Sequence, residues 1–314
     1  MTRYLASRFA GMVIVMLLVA TLVFLITRLA PGDPAAVMLG DQATAADIAK
    51  LRTSYGLDKP LPLQFGYWLG ELAHGNLGQS IFLQRPVMQA LLERAEPTFF
   101  LTLFSILIAT LIGVPCGIIA AVWRGRTIDQ FFSGFAMLGA SIPSFWFGLI
   151  LMQIFAVGLG WFPVAGYGNP GVPLSERLHH LVLPSIVLGV VNSALILRFT
   201  RASMLDVLGD DHIRTARAKG LSEASVILRH ALRNALIPVI TVFANILPLL
   251  ISGSLIVEAV FGIPGMGLYA FEGLQKRDYP VVLATTTLSA VMTMLGILLS
   301  DLLYALVDPR ISYD

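Results

Sequence analysis

Long charge-free stretches alternate along the chain with short segments that hold nearly all of its charge. Phe9 to Thr27 is charge-free and is bracketed by Arg8 and Arg28. Phe99 to Trp123 is charge-free and ends at Arg124. Phe131 to about Leu159 ends in Gly158-Leu159-Gly160-Trp161-Phe162-Pro163, a turn whose aromatic residues suit a membrane–water boundary. Leu181 to Leu197 runs to Arg198, and Leu236 to Val257 stops at Glu258. Tyr279 to Ser300 stops at Asp301, after which the apolar pattern resumes to Val307. A helix needs about 20 apolar residues to cross a hydrocarbon core. The pattern therefore predicts an all-α membrane protein with six transmembrane helices. The first apolar run is longer than that of a cleaved leader, and Arg28-Leu29-Ala30-Pro31 is a poor cleavage site. A retained anchor is expected.

Composition agrees with the pattern. Of 314 residues, 56% are hydrophobic and 13% charged, with a mean hydropathy of +0.80. A soluble domain carries about 25% charged residues. The shortfall excludes a water-facing globule, and the composition also excludes disordered, fibrous and disulfide-rich secreted chains. The single Cys116 has no internal partner for a disulfide. The formal charge of +2 says little, so the placement of Lys and Arg carries the information. One side of the predicted membrane holds twelve basic residues, from Arg3 and Arg8 to Arg310, against Arg177, Lys276 and Arg277 in the short loops of the other. The positive-inside rule places both termini in the cytoplasm.

Two loops exceed what a connection needs. The outer one, Leu29 to Thr98, contains Thr44 to Tyr55, with Ile48 and Leu51 at helical spacing, Asp47 in the first turn and Gly56 as a stop. Pro60 and Pro62 predict an extended piece, and Phe65 to Leu72 a further helix. This loop reads equally as a small folded cap and as a docking surface for an external protein. The cytoplasmic one, Arg198 to Asn234, holds seven of the 21 basic residues. Within it, Asp211 to Leu221 predicts a short helix. Ala216, Ala218 and Gly220 are small enough to let another surface approach the backbone, and Gly220 is a helix stop. Ser222 then opens a second helix that leads through Arg229, His230 and Arg233 into the fifth span. Taken alone, such a segment also suits anionic lipid headgroups.

Ionisable groups inside a membrane are costly and normally paired. Asp301 is expected to pair with Arg198 or Arg201, which end the fourth span at similar depth. Glu258 is expected to order the Gly/Pro-rich turn after it, with contact to the substrate as the other reading. Asn192, Ser193, Asn245, Ser252 and Ser254 are polar positions of the fourth and fifth spans and should face protein or a water-filled path. Of these, Asn192, Asn245, Ser252, Ser254 and Glu258 are the candidate pathway residues. Pro115, Pro143, Pro184, Pro238 and Pro248 should kink or cap the spans. His179 and His180 are adjacent and lack metal-ligand spacing, so no metal site is expected. No Gly-x-Ser-x-Gly elbow and no Gly-x-x-x-x-Gly-Lys-Ser/Thr loop occurs, so no catalytic residue is assigned.

Seven segments in order resemble the permease subunits of ABC importers of the dipeptide/oligopeptide family, the B-type subunit in particular. They are Arg28 to Pro34, Tyr55 to Leu61, Ser141 to Trp146, Arg214 to Gly220 continued by Arg229 to Ala235, Phe261 to Gly267, Arg277 to Pro280 and Leu306 to Arg310. The resemblance implies a type I ABC importer permease fold. It implies an anchor helix with a folded periplasmic loop over 1–98, a transmembrane domain over 99–314, and a coupling segment over about 210–234. It assigns ATPase coupling to Arg214, Thr215, Ala216, Arg217, Ala218, Lys219, Gly220 and Leu221. The broader importer signature is Glu-Ala-Ala, three residues, then Gly. Here Arg214-Thr215-Ala216 stands at the triplet, so only Ala216 and Gly220 match. The implied partners are a second, homologous permease in a heterodimer, two ATPase subunits that bind ATP and Mg, and a periplasmic substrate-binding protein. This chain would need no cofactor of its own and would sit in a bacterial inner membrane. Relatives in this family carry dipeptides, longer peptides, glutathione, nickel chelates and opines. A secondary transporter is the alternative, but the two halves show no clear repeat and the ionisable residues lie near span ends. An intramembrane hydrolase would need a base beside a buried nucleophile, and the histidines fall in loops or at span ends.

Overall fold

The computed structural model describes residues 2–29, 33–40, 43–168, 171–236, 239–240 and 255–307. Among the described residues the predicted helices are there, with several boundaries moved. The first span is α1, Thr2–Leu29, in which Thr21 and Thr27 return their hydroxyls to the carbonyls of Leu17 and Val23. Such local donation leaves no polar group facing lipid unsatisfied. The long first loop then folds into three helices. Asp33 caps α2, Pro34–Leu39, by accepting from the Ala35 amide at 2.9 Å. Thr44 and Asp47 form a capping box for α3, Ala45–Ser54, where the sequence placed a helix. α4 spans Leu61–Ala73 and starts four residues before the predicted Phe65. Pro62 lies in its first turn, where a missing N–H costs nothing, so it opens a helix instead of extending the chain.

α5, Val87–Val122, is 36 residues long and begins well before the charge-free stretch at Phe99. Its first turns are amphipathic, and Val87, Ala90 and Leu91 are buried there beneath Tyr269, Val281 and Ala284. The third predicted span is two helices. α6, Thr127–Ser141, and α7, Ser144–Leu151, which continues as a π-helical stretch over Met152–Gly158, meet at an angle of 100°. Pro143 breaks the ladder between them. After α8, Leu174–His180, the fourth span is α9, Val182–Leu208, which carries Arg198 and Arg201 inside the helix and not in a loop. α10 is Asp211–Ala218, and α11, Glu223–Ser225, continues as a π-helical stretch over Val226–Ala231. Most of the fifth predicted span, together with Pro238 and Pro248, lies outside the described residues, and its end is α12, Leu255–Phe261. α13, Met266–Gln275, and α14, Tyr279–Val307, complete the chain.

Four of these helices are long and apolar enough to cross a membrane, and up to six spans result when each interrupted pair counts as one. Large apolar side chains cover the outer faces, among them Ile26 at 67%, Leu111 at 71% and Met137 at 72% exposure. Such a surface is stable only against lipid or protein, so the chain is a multi-pass membrane protein.

The chain divides into two compact units, one of Met1–Glu96 with Gly265–Val291 and one of Pro97–Pro264 with Met292–Asp314. In the first, buried Phe24 of α1 stacks on Trp68 and meets Phe65 edge-on, which seats α4 on the end of α1. In the second, α5 and α9 cross with their backbones nearly touching. A Cβ on Gly113 would stand 2.7 Å from the Cβ of Ile196, and one on Gly117 at 2.7 Å from the Cβ of Thr200. Gly189 of α9 answers from the other side, where a Cβ would meet Ile108 at 2.6 Å. Small residues four apart make this approach possible in the absence of a hydrophobic driving force between helices.

Candidate coupling site and polar groups of the spans

α10 is amphipathic over a single pair of turns. Ile213 and Ala216, three residues apart, are buried against Met204, Val226, Ala231 and Ala235. Arg214, Thr215, Arg217 and Ala218 occupy the exposed side. Asp211 in the first turn and Arg217 in the last both complement the helix dipole. The helix ends in a Schellman motif. Leu221 N–H donates to the Ala216 carbonyl and Gly220 N–H to that of Arg217, while Gly220 adopts φ +77°. A side-chain residue in that left-handed conformation costs about 1–2 kcal/mol, which is why glycine stands there.

The turn that follows is braced. Arg217 donates to both carboxylate oxygens of Glu223, from Nε at 2.8 Å and Nη2 at 3.4 Å. Ser222 accepts from the Ser225 amide and starts the next helix. Asn234 Nδ2 lies 3.1 Å from His212 Nε2, joining the far end of that helix to the start of α10. Arg214 is paired with Asp211 in an exposed contact of little energetic weight. Lys219 has no ion-pair partner among the described residues. The segment therefore presents a short, seated helix with a basic outer face and an apolar tip, Leu221, that is 41% exposed. Ala216 turns inward. Its small side chain serves the packing of α10 on its own bundle and is not part of the exposed face.

Among the described residues, one of the two arginines of the fourth span meets an acid that the sequence reading did not name. Arg201 binds Asp129 of α6 through two bonds, Nε to Oδ1 at 2.6 Å and Nη2 to Oδ2 at 2.8 Å. Asp129 also accepts from the Gly125 amide and the Ser133 hydroxyl, so the carboxylate is fully satisfied though buried. This fork ties the start of α6 to the C-terminal half of α9. Asp301 lies on α14, but its side chain falls outside the described residues. Asp129 was legible as the only acid beside Arg124 and Arg126 at the head of the third span, yet nothing in one sequence brings it to Arg201, 72 positions away.

Glu258 is fully buried and accepts from the Thr98 hydroxyl at 3.0 Å. Its own carbonyl receives the Ile263 amide at 2.8 Å and so closes the Phe261–Pro264 turn. Asn192 is buried and donates its amide to the Leu188 carbonyl within α9, and Ser193 donates to Val190. Asn245, Ser252 and Ser254 lie outside the described residues. A buried acid that sequence reading passed over is Asp278. It receives the Ser80 hydroxyl and the amides of Ile81 and Phe82, and so pins that loop beside the start of α14. Among the described residues, no group of three His, Cys, Asp or Glu side chains is placed to hold a metal ion.

This geometry can be set beside known proteins. A family model for the inner membrane component of binding-protein-dependent transport systems matches residues 113–313, and a companion model for the N-terminal part of such membrane components matches residues 1–102. The chain is 44% identical to the glutathione transport system permease protein GsiC of Pectobacterium atrosepticum, over the whole of both chains. It is 41% identical to the oligopeptide transport system permease protein AppB of Bacillus subtilis, again over both full lengths. Among solved structures, an inward-facing form of the MetNI methionine ABC transporter shares its fold at a TM-score of 0.56 and 20% identity, covering 70% of this chain and 97% of that one. The chain belongs to the family of binding-protein-dependent transport system inner membrane components, as a permease subunit of an ABC importer.

Proposed function

We propose that this chain is the B-type permease of a bacterial inner-membrane importer for di- or oligopeptides or related small solutes, with both termini in the cytoplasm. ABC importer permeases work with ATPase subunits and a substrate-binding protein, and they leave ATP hydrolysis to the former. In the proposed assembly this chain pairs with a second, homologous permease. Two ATPases below bind ATP and Mg, and a periplasmic binding protein delivers the solute. The peptide class is supported by the two full-length relatives, whose names specify oligopeptides and glutathione, itself a tripeptide.

The observation that carries the reading is α10. A short helix held to its bundle by Ile213 and Ala216, with Arg214, Arg217, Lys219 and Leu221 turned outward, can transmit a push without coming loose. Closure of the ATPases would move α10. The Arg217–Glu223 brace and the Schellman turn would pass that motion to the next helix, and the spans would rock between two packed arrangements. In that scheme Glu258 braces α12 against α5 and Asn192 closes on its own helix more than either touches solute, since both side chains already hold partners inside the chain.

Charge reversal on the exposed face tests this. Lys219→Glu with Arg214→Glu should lower ATP-driven uptake in reconstituted vesicles by about tenfold or more, the scale of a 1–3 kcal/mol coupling. Membrane insertion should be unchanged. Normal uptake and normal stimulation of the ATPases by solute in this variant would sink the assignment.

A further inference from the structure

Beside the end of α1 the outer loop lines an open-sided polar chamber of about 470 Å³. Arg28, Asp33, Arg52, Asp58, Lys59, Gln64 and Tyr279 line it, all within the first compact unit. The charges do not cancel. Asp33 is engaged by Arg52 at 3.4 Å and by the Ala35 amide. That leaves Arg28 and Lys59 against Asp58.

Arg28 is the unusual member. Its guanidinium carbon lies 4.9 Å from the centroid of the Tyr279 ring and 5.4 Å from that of Phe24, so the plane is held by aromatic faces. Its Nε is buried and has no hydrogen-bond partner, and no carboxylate pairs with the group among the described residues. A desolvated guanidinium without an acceptor is costly and normally engaged. Lys59 is likewise set over a ring, that of Tyr67 at 4.7 Å, and not on an acid. Gln64 completes the set. Its amide nitrogen donates to the carbonyls of Lys59, at 2.7 Å, and Leu57, at 3.3 Å. The side chain is thereby fixed in one orientation, and its buried Oε1 has no donor among the described residues.

The chamber thus offers forked donors for an oxyanion, an orphaned acceptor and an exposed carboxylate, Asp58, for a cation or N–H. We infer that it binds a small zwitterion, with the carboxylate on Arg28 and Lys59 and the amino or amide nitrogens toward Gln64 and Asp58. The volume falls within the roughly 300–1,000 Å³ of small-molecule sites and suits a short peptide. The inference takes the peptide class from the reading above, but it concerns a site on the outer loop, apart from the coupling helix. It gives a role to Arg28 and Asp33, charged groups that the coupling reading does not use.

The test is equilibrium dialysis of radiolabelled Ala-Ala against the purified full-length chain in nanodiscs, without ATPases or binding protein. Failure of ATP coupling then leaves this measurement untouched. Saturable binding is expected. Arg28→Ala should weaken it by about tenfold or more, the scale of losing a charge-assisted fork. Arg28→Lys should weaken it less, and Gln64→Leu should weaken it independently of Arg28, with helicity by circular dichroism and elution volume confirming that each variant folds. The carboxamide of Ala-Ala should compete poorly and inorganic phosphate weakly. Absence of saturable binding, or unchanged binding in Arg28→Ala and Gln64→Leu, overturns the proposal. Equal competition by phosphate and Ala-Ala would make it a plain anion site and overturns the zwitterion assignment as well.

Discussion

Asp129 and Arg201 show how much one buried carboxylate can organise. Each oxygen of Asp129 takes a guanidinium donor, and the Gly125 amide and Ser133 hydroxyl fill the remaining positions. Removing one partner leaves the other charge stranded, which in a fully buried pair costs about 3–5 kcal/mol. Arg201 keeps 30% of its side chain exposed, so Asp129→Asn should cost less, about 2 kcal/mol. Chemical unfolding in nanodiscs measures it, and a double-mutant cycle with Arg201→Met should recover most of the loss. Additive losses would mean the two side chains act independently. Asp278 makes a second case. Asp278→Ala strips three donors of their acceptor, at about 1–3 kcal/mol for each group left unsatisfied, and should free the Ser80–Phe82 loop. Limited proteolysis across residues 78–86 should then be faster, while an unchanged cleavage pattern would show that other contacts hold the loop.

At the scale of elements, the crossing of α5 on α9 depends on glycine at Gly113, Gly117 and Gly189. Gly117→Val would drive methyl groups into Thr200 and the Leu197 carbonyl, which stand 2.7 and 2.8 Å from a Cβ there. Overpacking of this kind costs about 1–3 kcal/mol, and the helices must separate to relieve it. A lower thermal midpoint and reduced yield of folded protein are expected, whereas Gly134→Val, in open space on α6, should have little effect. Equal behaviour of the two would discount the close approach. α10 adds a different lesson. Ala216, one of the two positions that match the importer signature, is buried, so Ala216→Leu should unseat α10 from Met204 and Val226. Gly220→Val instead strains the turn while leaving the seat intact. Cysteine cross-linking from α10 to its footing should therefore fail in the first variant and persist in the second.

For the whole molecule, helix type was legible because membrane-spanning segments must satisfy every backbone group internally, and that demand writes itself as long apolar runs. The Thr44 helix, the Gly220 stop and the helix through Val307 were legible for an equally local reason, since caps and breakers act on their neighbours. Ends and breaks were not. α5 and α9 extend beyond their apolar runs because amphipathic turns bury one face on neighbouring elements, which residue counting does not register. Pro143 was seen as a kink or cap, but its consequence, a 100° break, depends on what packs around it.

The order of residues along the chain was enough for a polytopic helical membrane protein, for a basic segment over Arg198–Asn234 and for a resemblance to an importer permease. Each follows from local composition, from spacing, or from ordered motifs along the chain. Tertiary structure alone decided which charges meet. It paired Arg201 with Asp129, turned Ala216 inward, seated Glu258 on Thr98, and left Arg28 facing a polar chamber. Charges and hydroxyls separated by 72 or 160 positions carry no mark of their partners, because a pairing is a property of the folded helices and of the desolvation that burial imposes on both groups.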